Sequence, residues 1–262
     1  MKAIPADQLS RLWRAIIEFD MLSPGDRVLV GLSGGKDSSL LLLALRQLQS
    51  HAPFAFELGA FTMDPQFTTD FPTDQLRAWC TTLGISYYTE KVPVEQLSHA
   101  RPGKTPCFSC AYFRRAATNR VALANGYNKV ALAHHHDDAV ETFLLNLLTS
   151  GQLKTFLPVT PLSKTGLTVI RPLLYYREAE IRALGQAAGL IPLKSPCPHD
   201  GHTKRQEAKE FIRVLASFDP GAYEHLSAAM RCQQHELWPS PLPKNAMIDK
   251  FRRFWGKAKT DQ

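Results

Sequence analysis

A parallel β-sheet covered by helices on both faces is the fold this sequence predicts, with a small helical extension at the carboxyl end. Three observations carry the prediction. Short apolar runs of strand length alternate with longer stretches of helical length and pattern. One of those strands runs directly into a double-glycine turn and a leucine-rich helix. With 262 residues, 44% hydrophobic and 21% charged, the chain can bury a sizeable core and lacks the composition of a disordered protein.

Taken in order, residues 1–20 place acidic side chains within an amphipathic pattern, so 1–25 read as an N-terminal helical segment and not as an export signal. Residues 27–32 read as a buried strand, followed after the glycine turn by a helix reaching Leu48. A strand at 56–63, a helix at 73–83, a strand at 85–90, a helix at 112–125 and a strand at 129–133 continue the alternation. Strand–helix–strand crossovers of this kind make neighbouring strands parallel. A helix from Asp137 to Leu148 is stopped by Gly151, and 168–170 form an edge or late strand. Helices follow at 177–188, 203–218 and 222–237. Pro239, Pro241 and Pro243 mark a linker, and no internal repeat is present. The domain reading is therefore 1–25, a catalytic unit over 26–218, and a helical, basic extension over 219–262.

No apolar run approaches the roughly 18 residues that span a bilayer, so the reading is a cytoplasmic protein with no membrane partner. Five cysteines, an odd number without an export signal, point to metal or redox chemistry at some of them and away from a disulfide framework. The net charge of +7 favours a polyanionic partner, because cations that neutralise phosphates release condensed counterions. Residues 239–262 hold six of the cations against two aspartates.

The chemistry begins at Ser33-Gly34-Gly35-Lys36-Asp37-Ser38, between strand and helix. A helix start offers unpaired N–H groups and the positive end of the macrodipole, and glycines let a phosphate approach them. Lys36 offsets phosphate charge, and the hydroxyls of Ser33 and Ser38 donate to it. The spacing is not that of a Walker A loop, which has four residues between its first glycine and the Gly-Lys pair. Thr62, Met63 and Asp64 end the next strand at the same crevice; Met63 either flanks an adenine or fills the core.

His134-His135-His136-Asp137-Asp138 leaves another strand end. His134 and His135 join the nucleotide pocket in this reading. Asp137 and Asp138 suit a magnesium ion carrying ATP phosphates, and an acidic first turn that merely caps the helix is the plainer alternative. Cys107-Phe108-Ser109-Cys110 is a Cys-x-x-Cys, and Cys197 lies far downstream in Ser195-Pro196-Cys197-Pro198-His199. Iron–sulfur ligation and a zinc site completed by His199 both fit this spacing. Cys80 and Cys232 fall within helical patterns as small buried hydrophobes.

The glycine loop resembles the signature of the PP-loop ATP pyrophosphatases, with their Rossmann-like, adenine nucleotide alpha hydrolase-like fold. Several blocks together resemble the TtcA family, the tRNA 2-thiocytidine synthetases, across most of 27–209. They are the loop; Cys107 and Cys110 followed by Arg114 and Arg115; Ala133 to Asp138 continuing through Glu141-Thr142 to Asn146; Ile170-Arg171-Pro172-Leu173; Arg177-Glu178; and Pro196-Cys197. Ala133, His136 and Asp200 differ from the family pattern, which favours glycine, arginine and a further cysteine at those places.

The resemblance implies an enzyme that uses ATP and magnesium to adenylylate cytidine 32 of tRNA and replaces its 2-oxo oxygen with sulfur. It implies a four-iron four-sulfur cluster on Cys107, Cys110 and Cys197, with one iron left for the incoming sulfur. Lys36 and Asp137 then join those cysteines as catalytic residues, Asp137 as the catalytic or metal-organising carboxylate. Arg114, Arg115 and the basic tail would grip tRNA phosphates, with an aromatic side chain stacked on the extruded base. A cysteine desulfurase or free sulfide would donate the sulfur, and a homodimer is one arrangement open to it. Two rivals stand: a PP-loop ligase like tRNA lysidine synthetase, which has no use for three cysteines, and a noncatalytic RNA-binding protein with structural zinc. The Lys250-Phe251-Arg252-Arg253-Phe254-Trp255 patch reads equally as a single-strand RNA binder or as an amphipathic helix docked on the body.

Overall fold

The computed structural model describes residues 2–99, 105–193, 197–198, 204–231 and 237–256. His199, Asp200, Cys232 and residues 257–262 of the basic tail lie outside the described residues. The chain runs α1 (Ala6–Glu18), β1 (Arg27–Gly31), α2 (Lys36–Gln49), β2 (Glu57–Asp64), α3 (Thr73–Thr82) and β3 (Ser86–Lys91). It continues α4 (Val94–His99), α5 (Pro106–Ala124), β4 (Lys129–Ala131), α6 (His136–Ser150), β5 (Val159–Pro161) and β6 (Thr168–Ile170). A short 3-10 turn at Pro172–Tyr175 precedes α7 (Glu178–Ala187), α8 (Lys204–Phe218), α9 (Ala222–Ala229) and α10 (Lys244–Gly256).

The sheet has the order β3-β2-β1-β4-β6-β5. Every pairing is parallel except that of β5 with β6. Strand pleating explains why both faces are covered: Val28 and Val30 point into one apolar cluster with α1, α2 and α6, while Leu29 points into the other with α5. Val130 and Ala131 divide the same way, as do Val169 and Ile170. The chain builds outward from β1 to β2 and β3, then crosses back to place β4 on the opposite side of β1. The loops after β1 and β4 therefore leave neighbouring strands in opposite directions, and a crevice opens between them at the carboxyl ends.

Five elements depart from or refine the sequence expectation. Helix α5 begins at Pro106, not at 112, because Thr105 caps it: its Oγ1 accepts from Phe108 N at 3.3 Å, and Pro106 takes the first helical position. Residues 168–170 lie inside the sheet, since β5 pairs beyond them and makes the edge. The short α4 and β5 carry too few periodic residues to announce themselves. The expected helix at 222–237 ends at Ala229, and Arg231 instead bridges to Trp238.

Helix α10 docks on α1. Phe254 is buried against Trp13 and Phe54, and Lys250 Nζ donates to the Glu18 carbonyl at 2.9 Å and pairs with Asp20. Arg252 and Arg253 stay exposed. No described helix is long and apolar enough to cross a membrane.

Candidate nucleotide and thiol site

The turn after β1 is held in shape by its own hydroxyls. Ser33 Oγ and Ser38 Oγ lie 3.0 Å apart, Ser33 N donates to Ser38 Oγ at 3.1 Å, and Gly35 N donates to Ser33 Oγ at 3.3 Å. Gly34 has φ +80°, a region a side chain enters at a cost. Its carbonyl accepts from Leu193 N at 2.9 Å, and a Cβ placed on it would lie 2.8 Å from Leu193 Cδ1. Leu193, four residues before Cys197, is thus stitched to the glycine loop. Four residues span at most about 14 Å, so Cys197 stays within that radius of Leu193.

Lys36 opens α2 beside the turn, and two carboxylates hold it. Its Nζ lies 3.1 Å from Asp37 Oδ2 and 3.0 Å from Glu178 Oε1. Burial works against the ammonium charge, yet Asp37 and Glu178 outweigh it and lift the Lys36 pKa above the ordinary lysine value. Glu178 Oε2 accepts from Lys209 at 2.7 Å. Burial opposes its charge as well, but the bonds from Lys209 and Lys36 bring its pKa down to about 2. Asp37 Oδ1 is buried with no hydrogen-bond partner among the described residues.

The run after β4 is largely occupied. His135 caps α6 in a reciprocal box with Asp138, whose Oδ2 accepts from His135 N at 2.9 Å. Asp137 uses one oxygen on Arg177 Nε at 2.8 Å and the other on Glu178 N at 2.7 Å, so it anchors the start of α7. Arg171 Nε donates to His134 Nδ1 at 3.3 Å, and the His134 ring lies 4.9 Å from Phe156. His136 is enclosed: Nδ1 lies 2.6 Å from Tyr223 Oη and Nε2 3.1 Å from Ser227 Oγ. Burial lowers its pKa to about 4, against the opposing charge of Asp137. Met63 is buried beside Phe61 and Val92 in the α5-side core.

Cys107 and Cys110 sit in the first turns of α5, three residues apart and so on one face. Cys107 is exposed, Cys110 is half-buried, and Arg114 Nη2 approaches Cys110 Sγ at 3.6 Å. The helix starts beyond β3 and α4 and descends toward β4, which puts its amino end at the carboxyl edge of the sheet, the edge that carries the glycine loop. Cys197 is half-buried, and none of the three cysteines is in a disulfide. Among the described residues no three His, Cys, Asp or Glu side chains stand close enough to enclose an ion.

Sequence reasoning did not select Glu178 and Lys209 as site residues. Glu178 follows Arg177 in one of the matching blocks, but its partners come from α2 and α8, and nothing local announces them. Thr105-Pro106 is a local helix-start signal that would have placed the cysteines on a helix.

Comparison with known proteins gives the family and the fold. A family described as a PP-loop domain matches residues 6–196. A tRNA-cytidine(32) 2-sulfurtransferase from Xanthomonas oryzae pv. oryzae is 38% identical over 240 residues, covering 90% of this chain and 77% of that protein. One from Dechloromonas aromatica is 39% identical over 228 residues, covering 84% and 78%. The U34-tRNA thiolase NcsA from Methanococcus maripaludis, solved with its 4Fe-4S cluster, superposes with a TM-score of 0.68 at 21% identity. That match covers 85% of this chain and 78% of the thiolase, and it shows a shared fold.

Proposed function

The chain belongs to the tRNA-cytidine(32) 2-sulfurtransferases within the PP-loop proteins, and on that premise we propose that it adenylylates cytidine 32 of tRNA with ATP and exchanges the 2-oxo oxygen for sulfur. The observation that carries this reading is the placement of the Ser33–Ser38 loop and the Cys107/Cys110 helix start at one edge of the sheet. In the first step the cytidine oxygen attacks the α-phosphorus of ATP and pyrophosphate leaves. In the second, sulfur adds to the activated carbon and AMP departs with the oxygen.

The chain's own groups have clear tasks in the first step. N–H groups at the start of α2 and the charge of Lys36 take the phosphates and stabilise the leaving pyrophosphate. The unpartnered Asp37 Oδ1 is the oxygen that fits magnesium, a hard cation that takes oxygen ligands and is often held by one or two carboxylates. Asp137, with both oxygens engaged, orients Arg177 and the start of α7.

Cys107 and Cys110 fit as a paired thiolate donor set, and Cys197 is the third thiol, carried on the segment tethered at Leu193. A four-iron four-sulfur cluster held by these three would supply an open iron that accepts and presents sulfide. Arg114 and Arg115 are exposed just past the cysteines, with the rings of Phe108 and Tyr112 also exposed. They suit phosphate contacts and base stacking respectively. The reading further includes a cysteine desulfurase or free sulfide as donor, a homodimer in solution, and a cytoplasmic setting that keeps the thiols reduced.

Oxygen-free protein incubated with ATP, magnesium, sulfide and unmodified tRNA should yield 2-thiocytidine in nucleoside mass spectrometry. Cys107→Ser should lose bound iron and thiolation while still releasing pyrophosphate. Tolerance of that substitution in the thiolation assay would overturn the cluster assignment.

A further inference from the structure

The contact between Lys36 and Glu178 poses a physical problem for a phosphate loop. Lys36 is the loop's one lysine, and it is already engaged by two carboxylates at 3.0 and 3.1 Å. Asp37 is its chain neighbour and belongs to the loop. Glu178 comes from α7, and its two oxygens are divided between Lys36 on α2 and Lys209 on α8. The charges linked to this chain cancel: Lys36 and Lys209 against Asp37 and Glu178, with Arg177 against Asp137 and the more distant Arg182 and Glu141 at 3.6 and 3.9 Å. A neutral pocket holds a polyanion weakly.

We propose that Glu178 is a resident stand-in for a phosphate group: it engages Lys36 between turnovers, yields it to ATP, and retakes it as pyrophosphate leaves. Glu178 acts through Lys36 and is a positioning residue. The inference rests on the nucleotide reading above and deepens it by naming what drives product release.

Three features give the exchange a mechanical basis. The Glu178 side chain is a quarter exposed, so it is not locked in the core. Beside it lies a cavity of about 270 Å³ lined by Glu178, Ala179, Arg182, Ala183 and Gln186, and Arg182 on its wall is 3.6 Å from the Lys36-facing oxygen. Lys209 keeps the second oxygen when Lys36 is withdrawn, so the carboxylate leaves one cation without losing both. Against burial, the pairing favours the charged form of both groups, raising the Lys36 pKa and lowering that of Glu178.

The test is the sign of two substitutions on the binding of inorganic pyrophosphate, measured by isothermal titration calorimetry of the full chain with magnesium. Glu178→Gln removes the competing charge and should tighten pyrophosphate about tenfold. Lys209→Gln removes the cation that draws Glu178 away and should weaken it by a similar factor. Glu178→Asp retains the charge and should stay within about twofold of wild type. A merely structural role for this ion pair would weaken binding in both the Gln variants, and that result, or no change in Glu178→Gln, overturns the proposal. Thermal melts of each variant exclude misfolding as the cause. A wild-type chain that binds neither ATP nor pyrophosphate would sink the nucleotide reading itself, whereas wild-type binding with the wrong sign in Glu178→Gln sinks only the stand-in.

Discussion

His136 should make the protein acid-sensitive well above the pH at which its carboxylates titrate. The imidazole is enclosed by Tyr223, Ser227 and Trp238 at the first position of α6, where the helix's positive end also disfavours a cation. Burial depresses its pKa from 6.5 to about 4, against a pull from Asp137 and with Arg177, Arg231 and His135 adding to the depression. A lowered folded-state pKa means the unfolded chain binds the proton first. The stabilisation is therefore complete above pH 6.5 and lost as pH falls toward 4. At about 1.36 kcal/mol per pKa unit, the loss between pH 7 and pH 4.5 comes to about 2 kcal/mol. Glu178 has a depressed pKa too, but as a carboxylate its contribution is present above 4.5 and disappears only below that, so the windows separate. Urea unfolding of wild type and His136→Gln at pH 7, 6, 5 and 4.5 reads the effect as the change in their stability difference. Wild type should lead at pH 7 and lose about 2 kcal/mol of that lead by pH 4.5. A difference that stays constant across this range would refute the argument that His136 is buried neutral.

Gly34→Ala should cost about 1–2 kcal/mol for the positive φ and displace Leu193, weakening ATP binding as well as stability; unchanged ATP affinity by calorimetry would contradict the stitched loop. Trp238→Ala removes a fully buried indole that donates to Phe156 O at 2.9 Å, and should cost about 3–5 kcal/mol in chemical denaturation. Thr105→Ala removes the α5 cap and should cost about 1 kcal/mol, with faster loss of iron from the loaded protein in a chelator challenge.

The central parallel strands and the phosphate loop were legible in the chain because their signals are local. A strand of alternating faces, a glycine turn and a helix start lie within a few residues of one another, and backbone geometry joins them in only one way. Cys107 and Cys110 were legible as a pair for the same reason. Their place on a helix was also written locally, in Thr105-Pro106. Tertiary structure alone decided which partners the charged groups take. Asp137 and Asp138 suggest metal ligands in a row of residues, and only the fold shows that one also anchors α7 and the other caps α6. The clasp of Glu178 on Lys36 and Lys209 joins α7, α2 and α8, elements distant in the chain. An ion pair leaves no periodicity in sequence. It exists because the sheet order carries those helices to one edge, where separately unremarkable charges meet at 3 Å and set one another's protonation.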